Sequence, residues 1–198
     1  MQRLTPVVKH LLFINVGVFL AQRIVDIDFM HTLGLRYIFS DFFRPYQLFT
    51  HLFVHADFMH LAINMFSLFT FGPVLEYTLT SKRFITFYLL TGIGAAVLYE
   101  GIQYIEMGMI GTPLYVLVGA SGSIYGIFMA FAMLYPNVEL FIYFIPIPVK
   151  AKYVIAFFGV YELYAGIRAN PSDNVAHFAH LGGIVLAYFF IRWWRRHQ

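Results

Sequence analysis

A few polar side chains lie in segments otherwise apolar enough to cross a membrane, and their types and spacing are those of acyl-transfer chemistry. Ser121 sits among glycines in "VLVGASGSIYGIFMAF", residues 116–131, with Tyr125 one turn on. His177 and His180 lie in "VAHFAHLGG", and His60 and Asn64 stand four apart in "FMHLAINMF", on one face of a helix. A serine hydroxyl attacks a carbonyl only after a base takes its proton, and the oxyanion that forms needs prearranged donors. Ser121 supplies a candidate nucleophile and His180 a candidate base. The backbone around Ser121 and Gly119, at the positive end of a helix, together with His60 and Asn64, supplies candidate oxyanion donors. No acidic residue lies within a turn of His180, and the nearest upstream is Asp173. The expectation is therefore a Ser–His dyad, its imidazole oriented by packing on an aromatic such as Tyr125.

The elements that must position these residues follow from composition. The chain has 198 residues, 60% hydrophobic and 12% charged, far from the balance of a soluble globular domain. Apolar runs at about 7–25, 58–79, 84–105, 115–135, 151–169 and 175–193 each approach the length of a bilayer core, and within lipid they must be helices. The fold class expected is all-α, a polytopic membrane bundle of six helices forming a single domain over 1–198. Residues 26–57 mix aromatics with isolated charges and read as an interfacial first loop. Basic residues precede the first apolar run without a small-residue cleavage site, so it reads as a retained helix.

Orientation comes from the short loops. With both termini cytoplasmic, Arg3, Lys9, Lys82, Arg83, Lys150, Lys152, Arg192, Arg195 and Arg196 lie inside, against Arg23, Arg36, Arg44 and Arg168 outside. The second, fourth and sixth spans then run inward from the outer side, which brings His60, Asn64, Ser121, Tyr125 and His180 to similar depth. Stripes of small residues, Gly122–Gly126–Ala130 and Ala179–Gly183–Ala187, allow close approach of the fourth and sixth spans. The basic balance is accounted for by lipid and topology, so no nucleic-acid partner is expected.

Taken together, "GASG" with Ser121, Tyr125 four later, "AHLGG" with His180 and "HLAIN" with His60 and Asn64 resemble the rhomboid family of intramembrane serine proteases. The resemblance implies a six-helix core and a cavity open to the outer side. It implies cleavage of peptide bonds in or near transmembrane segments of membrane-protein substrates, with His180 and not His177 as base. It also implies that residues 151–174 form a lateral gate and that His51 and His55 are structural. Many members carry Trp-Arg in the first loop, where this chain has Tyr46-Gln47.

Competing readings have less behind them. Absence of Cys excludes thiolate catalysis and Cys-ligated zinc. His51 with His55, or His177 with His180, could share a metal, yet the zinc-protease pattern H-E-x-x-H fails because "HLFVH" lacks the Glu. No cofactor is expected. Ser123 points to another face. A transporter built on Glu100 and Glu162 would want inverted repeats, which are not apparent. A catalytically silent, client-binding relative is disfavoured by the presence of both Ser121 and His180. Glu162, in "FFGVYELYAG", reads as a hydrogen-bonded structural group or part of the gate, and Glu76 as a partner for a loop cation or for backbone donors.

Overall fold

The computed structural model describes residues 4–110, 115–141, 147–168 and 176–197; Asp173 and the end of the expected gate segment lie outside them. Among the described residues, six helices of fourteen residues or more carry the architecture: α1 (Pro6–Ile24), α4 (Phe58–Leu79), α5 (Ser81–Ile110), α6 (Ser121–Leu134), α7 (Ala151–Arg168) and α8 (His177–Arg196). Two short helices, α2 (Phe29–Leu33) and α3 (Gln47–Thr50), and a 3-10 turn at His51–Phe53 lie in the first loop. A two-residue antiparallel clip, β1 (Glu139–Leu140) with β2 (Val149–Lys150), precedes α7.

Local chemistry sets the boundaries. Pro6 opens α1, where its missing N–H costs nothing. The carboxylate of Glu76 accepts the backbone N–H groups of Val7 (3.1 Å) and Val8 (2.9 Å) and the hydroxyl of Ser81 (2.6 Å). A negative charge thus meets the positive end of α1 and ties it to the α4–α5 turn. Asp57 caps α4 by accepting the N–H of His60 at 2.8 Å. Helices α5, α6 and α8 pack as the central trio. There the small residues admit backbone contact: a Cβ on Gly183 would come within 2.0 Å of the Gly122 carbonyl oxygen, and one on Gly182 within 2.9 Å of Ala95 Cα.

The helices α1 and α4 and the Ser81–Ile105 portion of α5 are long and apolar enough to cross a membrane; α6 is a shorter apolar helix. Large apolar side chains such as Phe13, Ile63, Phe157, Val160 and Phe189 face outward, as a lipid-solvated surface requires. The chain is thus an all-α, membrane-type protein.

The start of the expected fourth span needs correction. Residues 115–120 are not helical, although they continue the apolar run of α6. Leu117 exchanges both backbone hydrogen bonds with Leu35 at 2.9 Å, an isolated antiparallel bridge, and Gly119 takes φ +110°. The helix therefore starts at Ser121.

The first loop is fastened by polar groups buried beneath it. Gln47, 1% exposed, accepts the N–H of Arg44 (3.1 Å) and of Arg36 (3.4 Å) and donates to the Thr32 carbonyl. Glu100 accepts the N–H of Ile38, and Gln22 makes a two-way bond with the backbone of His55. Gln47 thus anchors the loop at one of the two positions, Tyr46-Gln47, at which this chain departs from the Trp-Arg pattern noted above.

Candidate active site

Ser121 occupies the first position of α6, and its N–H has no intrahelical acceptor. The carbonyl four residues back, on Leu117, is already taken by Leu35. His180 lies in the first turn of α8, and the Gly183–Gly122 contact holds the two helix starts together. The Nε2 atom of His180 is 2.9 Å from Ser121 Oγ, at hydrogen-bonding distance. The Tyr125 ring stacks on the His180 imidazole, with centroids 4.2 Å apart and planes 10° from parallel.

His60 and Asn64 come to the same region on α4. The His60 ring rests against Gly119, where a Cβ would lie 2.5 Å from its Cε1. Asn64 is buried and spends one amide hydrogen on the His60 carbonyl at 2.8 Å, leaving the second. Gly119 differs from expectation. Its N–H donates to the His51 carbonyl at 2.9 Å, so it is not an available oxyanion donor. Its positive φ and bare Cα instead make room for His60. Ser123, fully buried, donates to the Tyr88 carbonyl at 2.7 Å and faces α5, away from Ser121's partners.

The first-loop histidines are buried outside these helices. His51 contacts the Gln47 carbonyl at 2.9 Å through Nδ1, and burial lowers its pKa to about 4. His55 packs edge-on against His60, with its pKa lowered to about 4 by burial and by the His60 ring beside it.

Sequence reasoning read Glu162 as a hydrogen-bonded structural group or part of the gate; it is hydrogen-bonded, but its place beside His180 was not foreseen. The absence of a carboxylate within a turn of His180 in the sequence suggested a dyad with no acidic partner. The fold supplies one from α7: Glu162 Oε2 lies 3.1 Å from His180 Nδ1 and 2.6 Å from His177 Nδ1, while Oε1 accepts the Tyr125 hydroxyl. The side chain is 3% exposed. An ionisable residue in an apolar helix needs a polar partner, and "FFGVYELYAG" carried that signal without naming the partner. Glu162, His177 and His180 each offer a ligand atom within 4.8 Å of the others and could hold a metal ion. Matching of imidazole and phenol donors to carboxylate acceptors accounts for the same proximity.

A Ser–His contact at paired helix starts, with the other motif residues gathered around it, is the arrangement on which the resemblance was drawn, and the Rhomboid domain family matches residues 43–196. The chain belongs to the rhomboid family. Among its relatives, YdcA of Bacillus subtilis, provisionally named a rhomboid protease, is 32% identical over 154 residues, covering 74% of this chain and 68% of that protein. Rhomboid-like protein 12, mitochondrial, of Arabidopsis thaliana is 28% identical over 197 residues, 91% of this rhomboid and 56% of the plant protein. Rhomboid protein 1, mitochondrial, of Saccharomyces cerevisiae is 27% identical over 141 residues, 70% of this chain and 38% of the yeast protein. The matched stretch thus spans from 38% to 68% of the length of these relatives.

Proposed function

We propose that this rhomboid is an intramembrane serine endopeptidase that hydrolyses peptide bonds in or near transmembrane segments of membrane-protein substrates. It acts as one domain of six spans in the cell membrane. Both termini are cytoplasmic and the site opens to the extracytoplasmic side, the orientation in which nine of its thirteen Lys and Arg residues lie inside. The observation that carries the reading is the 2.9 Å approach of His180 Nε2 to Ser121 Oγ.

The chemistry follows from that contact. As the Ser121 Oγ–carbon bond forms, the hydroxyl proton passes to His180 Nε2 and the carbonyl electron pair moves onto oxygen. The Ser121 N–H at the positive end of α6 and the side chains of His60 and Asn64 are the donors for that oxyanion. Collapse breaks the C–N bond, and the Nε2 proton leaves with the amine. Water, deprotonated by the same Nε2, then attacks the acyl carbon; collapse breaks the Oγ–carbon bond, and the Nε2 proton returns to Oγ to restore Ser121. Tyr125 keeps the imidazole plane fixed throughout.

The test is labelling of detergent-purified protein with a fluorophosphonate probe. Wild type is expected to label, and Ser121→Ala and His180→Ala to remain unlabelled although folded. A folded wild type that does not label would overturn the assignment and favour a client-binding role.

A further inference from the structure

We propose that Glu162 is the positioning residue of the base, so that the site works as a Ser121–His180–Glu162 triad whose third member comes from α7. The inference rests on the reading of Ser121 and His180 as nucleophile and base, and adds the group that makes His180 competent.

Geometry carries the assignment. For Nε2 to accept the Ser121 proton it must be bare, so in the neutral imidazole the proton resides on Nδ1. That Nδ1 atom faces Glu162 Oε2 at 3.1 Å, angled away from a linear hydrogen bond, as resting catalytic contacts often are. An acceptor there selects the productive tautomer. Its negative charge also faces the imidazolium that exists after Ser121 gives up its proton, and Glu162 itself takes no proton in the step.

The carboxylate is held to its task from both sides. His177 donates to Oε2 at 2.6 Å and Tyr125 to Oε1, so both oxygens have fixed partners on two other helices. Tyr125 therefore acts twice, stacking on the His180 ring and gripping the carboxylate that orients it. His177, one turn above the base, becomes a support for Glu162.

The experiment compares full-length wild type, Glu162→Gln, Glu162→Asp and Ser121→Ala in detergent. It reads the fluorophosphonate labelling rate per folded molecule, the thermal midpoint, and the ¹⁵N resonances of the His180 ring, assigned with His180→Asn. Expected is a fall of about ten-thousandfold in labelling rate for Glu162→Gln, on the scale seen when the third member of a serine-protease triad is neutralised. Glu162→Asp should recover part of the loss. The wild-type ring should be protonated at Nδ1, and the Glu162→Gln ring should show mixed tautomers.

A Glu162→Gln protein that labels at the wild-type rate, or keeps the Nδ1–H tautomer, overturns the proposal and leaves the protease assignment standing. Labelling abolished by a chelator and restored by Zn²⁺ would also overturn it, since the cluster would then be a metal site. If wild type does not label yet its tautomer depends on Glu162, the protease assignment falls and the positioning role stands.

Discussion

The Gly183–Gly122 contact makes the catalytic distance a consequence of backbone packing, and Gly183→Ala tests it. A methyl on Gly183 would sit 2.0 Å from the Gly122 carbonyl oxygen, and that neighbour is backbone, which has no rotamer to escape into. An ordinary carbon–oxygen contact needs about 3.3 Å, so α8 must retreat from α6 by roughly 1 Å. Ser121 is the residue before Gly122, and His180 lies three before Gly183, one turn up the same helix. The displacement therefore passes almost undiminished to the Nε2–Oγ pair, stretching its 2.9 Å toward about 4 Å, beyond hydrogen bonding. A misplacement of that size costs on the order of a hundredfold in rate. The assay is the labelling rate per folded molecule, with the thermal midpoint followed alongside. Gly101→Ala, at an α5 position where a Cβ meets nothing within 4 Å, serves as the control and should label as wild type. A folded Gly183→Ala protein that labels at the wild-type rate would refute the claim that this contact sets the catalytic distance.

Other outcomes follow from single contacts. Ser123→Ala should retain labelling while losing about 1 kcal/mol of stability with its bond to Tyr88, whereas Ser121→Ala should do the reverse; loss of labelling in both would mean the two hydroxyls are not separable. Thr80, between α4 and α5, is held at φ 72° without being glycine, so Thr80→Gly should raise the thermal midpoint by relieving about 1 kcal/mol of strain, and an unchanged or lower midpoint would contradict this. His51 and His55, each with a folded pKa of about 4, bind fewer protons folded than unfolded as pH drops from about 6.5 to 4. Stability should be flat above that window and fall through it by up to about 3 kcal/mol per histidine; a thermal midpoint constant from pH 6.5 to 4 would rule this out.

Much of this was legible because bilayer physics leaves few choices. Apolar run length located the helices to within about six residues at either end, and the expected 58–79 coincides with Phe58–Leu79. The small-residue stripes pointed to α6 against α8, where Gly183 meets Gly122. What local sequence could not reveal was set by distant partners. Residues 115–120 are apolar enough for helix but are drawn out by Leu35, some eighty positions away, and Gly119 loses its free N–H to His51. Glu162 does not announce itself as a partner of His180, because the two are eighteen positions apart on different helices. Helices α7 and α8 are consecutive, however, with Glu162 six residues before the end of one and His180 three after the start of the other. Six residues and three differ by only about 5 Å of helix rise, so depth matching across that connection was the signal to follow.

The two halves of the site are held by different forces, and that difference has a consequence. Helices α6 and α8 meet through bare backbone, a contact that resists change because nothing in it can rotate. Lipid gives apolar side chains little reason to prefer a neighbouring helix over acyl chains, so α7 needs a specific tie to the bundle. Glu162 provides one, joining α7 to Tyr125 on α6 and to His177 and His180 on α8. The interaction that docks α7 is thus the same one proposed to orient the base. Any displacement of α7 that carries Glu162 away from His180 would leave the Ser121–His180 distance intact while removing the charge that makes the pair reactive.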